Sequence, residues 1–258
     1  MTSARPIWTW LITIMIVVPA VATVVAATSV DFSQGPYGGG VTLDWLGAAW
    51  TLLGPNVVRS ITVGIVVAIA NLILGGTLAY WAARTGSPLA RAVVTLASIP
   101  LAIPGIAISV ALIGAYSGLR PSGLLLICGH ILFTLPFTLA TLIPVIGDDE
   151  LVESEQVAGS LGASGPRILA TVTIPSITMP LAQAASMAYA LSFGEFNVSF
   201  FVNPPATPMA PFALFDAYQT RRLEIASAET VLFILCAAPV VAMITWLRAR
   251  THRRKYRP

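Results

Sequence analysis

The chain has 258 residues, of which 56% are hydrophobic and only 10% charged, with a net charge of +3 and a mean hydropathy of +0.83. Soluble domains carry roughly 25% charged residues, so this composition excludes an ordinary soluble protein and defines an integral membrane one. Ten-residue segments of alternating polarity, the mark of a transmembrane barrel, are absent. Helices, which satisfy their own backbone groups in lipid, are the expected architecture.

Charge-free runs predict an all-α bundle of six transmembrane helices near residues 8–29, 57–81, 92–115, 122–146, 177–202 and 228–247. An even number puts both termini on one side. If that side is cytoplasmic it holds Arg5, Arg84, Arg91, Arg167, Arg248, Arg250, Arg253, Arg254, Lys255 and Arg257, leaving Arg59, Arg120, Arg221 and Arg222 outside. Ten basic residues against four fit the positive-inside rule.

In chain order, the first run follows Arg5 like a signal peptide but exceeds the 7–15 residues or so of a signal core, which predicts a retained span. The glycine-rich stretch 31–40 reads as a loop. After it Leu43, Trp45, Leu46, Ala49, Trp50 and Leu53 recur at helical spacing and predict a separate interfacial helix before span two. Gly64, Ala68, Gly75 and Gly76 on span two, and Ala182, Ala185, Ala188 and Ala190 on span five, allow close helix packing. Pro100, Pro104, Gly105, Pro136 and Pro144 are expected to kink spans three and four.

Cys128 and Cys236 read as free, buried thiols. His130 sits two residues from Cys128, about 200° around the helix, and the only other histidine is His252, so no metal centre is expected. The Gly-Asp pair in Val145-Ile-Gly-Asp-Asp149 lacks a second membrane-embedded aspartate, and no Gly-x-Ser-x-Gly elbow with a histidine base is found. The sole lysine is Lys255, which rules out a phosphate-cradling loop with its lysine. ATP, if used, binds another subunit, and no cofactor is expected in this chain.

Between spans four and five the chain turns polar. Asp148, Asp149, Glu150 and Glu153 crowd the start of a short predicted helix, where negative charge suits the backbone dipole. Gly162 can end it. Ser164-Gly-Pro166 then offers a cap and an early proline for a second short helix, 166–173, with Pro175 and Pro180 breaking the pattern before span five. Two short helices joined at a glycine make a knob protruding into the cytoplasm.

This segment resembles the signature loop of permease subunits of ATP-binding-cassette importers of the type I, six-helix, binding-protein-dependent kind. In that family a Glu-Ala-Ala motif is followed by a glycine six residues after the Glu and a Leu-Pro-like pair thirteen residues further on. Here Ala158 matches the second alanine, Gly162 the glycine, Val172 the upstream apolar position and Ile174-Pro175 the terminal pair. Gln156 stands where the glutamate is expected and Val157 where the first alanine is, with Glu155 one residue early. The resemblance covers about residues 55–250. It implies that Glu155, Gln156, Ala158, Gly162, Ala163, Ser164 and Pro175 serve a coupling helix seated in a groove of an ATP-binding subunit, and it leaves open whether Glu155 or Gln156 makes the polar contact.

The stretch Leu191-Ser-Phe-Gly-Glu-Phe-Asn-Val-Ser-Phe-Phe-Val202 is similar to permeases of polyamine, aminoethylphosphonate, ferric iron and oxyanion importers. The implied substrate is a small charged solute. Glu195 is costly within a span unless it faces a partner or a watered path. It is a candidate for the translocation path with Asn197, Ser199, His130 and Asn71, against a packing hydrogen bond or a pair with Arg221 or Arg222. Asn71, Gln183 and His130 can equally tie helices together.

Residues 202–211 read as a proline-rich outer loop, and Phe212, Phe215, Tyr218 and Gln219 predict a short amphipathic helix after it. The implied organisation is a first helix with outer loop (1–56), a permease core (57–250) whose coupling loop is 147–176, and a basic tail (251–258). The implied partners are an ATPase subunit dimer that binds ATP and Mg, a second and non-identical permease, a soluble or lipid-anchored binding protein, and lipids of the bacterial inner membrane. Nucleic acid is not among them. The alternative is an ATP-independent secondary transporter or channel, although residues 1–120 and 121–258 show no persuasive internal repeat.

Overall fold

The computed structural model describes residues 4–204 and 207–255, with side chains over 8–204 and 207–239 and at 242, 243 and 246. The expectations placed on Arg5, Arg248, Arg250, His252, Arg253, Arg254, Lys255 and Arg257 lie outside the described side chains. The described residues are mostly helical, and one isolated bridge pairs Ser29 with Val41. The chain divides into two compact units, Met1–Val58 with Ala210–Ala238, and Arg59–Met209 with Pro239–Pro258.

In the first unit α1 (Ala4–Thr28) is followed by a 3-10 turn at Phe32–Gln34 and the start of α2 (Asp44–Thr85), and α11 (Ala210–Thr220) precedes α12 (Leu223–Lys255). Asp31 caps the turn: its carboxylate accepts from the Ser33 hydroxyl at 2.6 Å, the Gln34 amide at 2.8 Å and the Ser33 backbone N–H at 3.0 Å. Ala27, Ala49 and Ala228 form a small core under Trp45 and Leu46. The Trp45 indole donates to the Ser29 carbonyl, and the Arg222 guanidinium lies 5.0 Å from its ring centre. The amphipathic helix expected around residues 212–219 is α11.

The separate interfacial helix is a correction. Residues 44–85 form one helix that passes through Pro55, with Leu53 and Val57 both buried one turn apart across the proline. Burial on both sides outweighs the one hydrogen bond that Pro55 cannot donate.

The second unit continues with α3 (Pro88–Ser98), a 3-10 turn (Ile99–Ala102), α4 (Gly105–Tyr116) and a 3-10 turn (Ser117–Leu119), then α5 (Leu124–Ile146) and α6 (Asp149–Ser160). α7 (Gly165–Ile168), a π turn (Leu169–Thr173) and α8 (Ile174–Ser176) lead into α9 (Thr178–Phe193) and α10 (Asn197–Val202). Val63 and Val67 of α2 pack with Leu125 and Leu126 of α5 and Val198 and Val202 of α10. Ala79, Leu139, Leu142, Ile146, Leu151, Ile177 and Ala184 make a second core. Two of the small residues stand where a neighbour comes close: a Cβ at Gly64 would lie 3.1 Å from the Tyr189 ring, and one at Gly75 2.8 Å from the Thr138 methyl.

Span three is kinked where Pro100, Pro104 and Gly105 led to that expectation, whereas span five departs from the single continuous helix expected. Residues 88–119 bend by 109°. Ile103, held extended because Pro104 follows it, is the break (φ −104°, ψ 131°). Span five is interrupted at Gly194–Phe196, between α9 and α10. By contrast, Pro136 and Pro144 lie within an unbroken α5. Cys128 is exposed rather than buried and Cys236 is half-buried, because their helix faces are not covered within the chain.

Among the described residues three helices are long and apolar enough to cross a bilayer, Trp8–Thr28, α2 and α5, and five if each bent pair counts as a span. The expected sixth falls within α12, whose side chains are only partly described. The protein is therefore an all-α membrane protein.

Candidate functional site: the α6 loop and a buried polar node

The Asp148 side chain accepts from the Glu150 N–H and starts α6. Gly162 ends it at φ +86°, a left-handed conformation that costs glycine little. The Ala163 N–H donates to the Ala158 carbonyl at 3.1 Å and the Gly162 N–H to the Gly159 carbonyl at 2.9 Å. This pair of bonds is the Schellman motif, and it gives Ala158 and Ala163 a shared backbone role.

The two faces of α6 have different work. Residues two apart on a helix point about 200° apart, so Leu151 and Glu155 face inward while Val157 and Leu161 face out. Leu151 is 8% exposed and Leu161 83%. Gln156 and Val157 are exposed beside Leu161. Glu155 Oε2 lies 2.7 Å from Arg84 Nη2 at the end of α2, and its Oε1 accepts from the Thr173 hydroxyl. Glu155 and Gln156, interchangeable in the sequence, therefore occupy different surroundings. Arg84 and Thr173 were missed, because only the fold brings positions 84, 155 and 173 together.

The second short helix needs two corrections. Ser164 adopts extended cap geometry but its hydroxyl makes no cap bond. Pro175 does not end the helix: helical structure runs from Gly165 to Ser176, and the 71° bend falls at Ile177. A proline ring collides with the carbonyl four residues earlier in an α-helix, and the wider π turn at 169–173, immediately before it, relieves that collision. Pro180 falls in the first turn of α9, where its missing N–H costs little.

Glu195 folds back on the interruption between α9 and α10. Its carboxylate accepts from the Val198 and Ser199 N–H groups at 2.9 Å and caps α10. Arg221 and Arg222, among the alternatives for its partner, instead lie 4.0 Å from Glu229 and 3.3 Å from Glu224. His130 Nε2 is 3.9 Å from Glu195 and 2.9 Å from Ser199 Oγ, and His130 Nδ1 is 2.7 Å from Ser192 Oγ. The Ser199 hydroxyl gives its proton to the Glu195 carbonyl. It therefore accepts from Nε2–H, while Ser192 donates to Nδ1, so a neutral ring satisfies both nitrogens.

The Asn71 amide donates to Thr134 Oγ1 at 2.7 Å, and Thr134 donates to the His130 carbonyl, so Asn71 ties α2 to α5. Ser109 of α4 donates to the Asn197 carbonyl at 2.9 Å. Of the pathway candidates, Glu195, Ser199, His130 and Asn71 are buried, and Asn197 alone is exposed, beside Gly105 at the start of α4. Ser109, Thr134 and Ser192 were missed, being ordinary small polar residues in apolar runs.

Fold and site together define a multi-pass helical membrane protein. No protein-family model matches the chain. It is similar to three curated proteins of Salmonella typhimurium, Salmonella choleraesuis and Salmonella paratyphi A, each provisionally named 2-aminoethylphosphonate transport system permease protein PhnV. Each is 26% identical over 202 residues, 77% of this chain and 74% of the relative. That likeness supports the resemblance to aminoethylphosphonate-type permeases of ATP-binding-cassette systems.

Proposed function

We propose that the chain is the permease subunit of an ATP-binding-cassette importer, with both termini in the cytoplasm of a bacterium and six spans in its inner membrane. It forms half of a path for a small charged solute, with 2-aminoethylphosphonate, named for its relatives, as the first candidate. The other half comes from a second, non-identical permease. A separate ATPase dimer holds ATP and Mg, and a binding protein delivers the solute from outside. Residues 57–250 form the core of this subunit.

The observation that carries this reading is the two-faced α6, held by its Schellman turn, with Gln156, Val157 and Leu161 outward. That face is the docking surface for the ATPase. Asn197 is the pathway residue, and Glu195, Ser199 and His130 set the break behind it.

The test is affinity purification of the tagged chain from its native membranes, with mass spectrometry of partners and an ATPase assay. Leu161→Asp is the probe, because Leu161 lies outside every core of the fold. An ATP-binding subunit that accompanies the wild type and is lost with Leu161→Asp supports the reading. Absence of any ATPase from the intact chain overturns it in favour of an ATP-independent transporter.

A further inference from the structure

We infer that Glu155 is a positioning residue that yokes the docking helix α6 to two other helices, rather than a contact for the ATPase. The inference rests on the coupling reading of α6 and names how a push on that helix leaves it. Glu155 uses one carboxylate oxygen for each neighbour, Oε2 toward Arg84 at the end of α2 and Oε1 toward Thr173 at the end of the π turn. The Glu155 and Arg84 side chains are 12% and 20% exposed, and Thr173 is fully buried. Burial at this level shields the ion pair from the screening that makes surface pairs weak.

Arg84 is itself held in place, with its guanidinium 5.5 Å from the ring centre of Tyr80 one turn earlier. Next to this triad lies an apolar groove of about 370 Å³, lined by Tyr80, Ile146, Leu169, Thr173, Ile174 and Ile177. The groove leaves space between α2 and the helix that enters α9. Across that space packing is incomplete, so the polar tie carries displacement that side-chain contact does not. Leu151 anchors the inner face of α6 one turn earlier, in the core with Ala79 and Ile177. Together the two residues make α6, the end of α2 and the start of α9 move as one piece.

The test uses the complete complex in nanodiscs, with Cys128 and Cys236 replaced and nitroxides placed at exposed Thr85 and Glu153. Spin-label distances are read with and without ATP, and recovery of the ATPase subunit is measured in parallel. The wild type should give a narrow distribution that ATP does not change. Glu155→Gln, Arg84→Gln and Thr173→Val should each broaden it about twofold, with the ATPase still bound. The exchange of Arg84→Glu with Glu155→Arg should narrow it again, which separates a lost tie from a misfolded loop. An unchanged distribution in Glu155→Gln overturns the yoke, as does selective loss of the ATPase in that variant, which would make Glu155 a docking contact. A wild-type chain that holds its label distance but retains no ATPase overturns the coupling reading, and the yoke's role with it.

Discussion

Glu195→Ala is the most informative single change in the buried polar node. The carboxylate accepts from the Val198 and Ser199 N–H groups, both buried. Truncation leaves two buried donors without partners, at about 1–3 kcal/mol each. Removing the acid also removes the cost of burying it, so the net loss is expected near the low end, about 2 kcal/mol. At 1.4 kcal/mol per factor of ten, this corresponds to about 30-fold faster amide exchange in α10. Glu195→Gln keeps one acceptor oxygen and should fall between the two. The assay is hydrogen exchange of the 194–203 peptide in nanodiscs, with thermal unfolding in detergent as a second readout. Exchange in Glu195→Ala within about threefold of wild type would refute the capping role. Uptake of 2-aminoethylphosphonate gives a separate answer: unchanged kinetics in Glu195→Gln would exclude the carboxylate from the path and leave it as a cap.

Gly75→Ala would place a methyl 2.8 Å from Thr138 Cγ2 and 3.0 Å from Leu135 Cδ1. The expected loss is about 1–3 kcal/mol. Its neighbour Gly76→Ala, with only Leu142 Cδ1 at 4.0 Å, should stay within about 0.5 kcal/mol of wild type, and parallel melts check both. In the 31–40 loop, hydrogen bonds from the Ser33 and Gln34 side chains hold the Asp31 carboxyl below its ordinary range, against a small opposing effect of burial. A depressed acid contributes stability that is present above its unfolded value and lost as pH falls through the folded one. Protease nicking of this loop should therefore rise only on the acid side, below the ordinary aspartate value of 3.8. Asp31→Asn should nick faster at neutral pH and show no such acid step.

The class of protein was legible in the sequence because lipid admits few backbone solutions. Runs of 18 or so apolar residues imply helices wherever they occur. The polar segment from Asp148 to Pro175 was equally plain, since charge is scarce elsewhere and Gly162 and Asp148 signal helix ends through local backbone chemistry. A kink in span three was legible from Pro104 and Gly105 and a break before span five from Pro175 and Pro180, but the size of each bend and the interruption at Gly194–Phe196 were not. Ile103 and Ile177 look like any other apolar residue, and whether a proline kinks, breaks or is absorbed depends on what packs around it. Pro55 and Pro175 were absorbed, and Pro104 was not.

Roles that depend on distance between remote positions were decided by the tertiary structure alone. Glu155 and Gln156 are adjacent and both polar, and one-dimensional spacing assigned neither to a partner. Folding turned Glu155 toward Arg84 and Thr173 and left Gln156 in the open. Glu195 likewise read as a charge in need of a partner or a watered path, with a packing hydrogen bond or a pair with Arg221 or Arg222 as the alternatives. The chain satisfied it with its own α10 amides, because those donors lie within four residues. Local chemistry sets where helices begin and end, whereas the choice of partner for a buried charge is set by which elements meet in space.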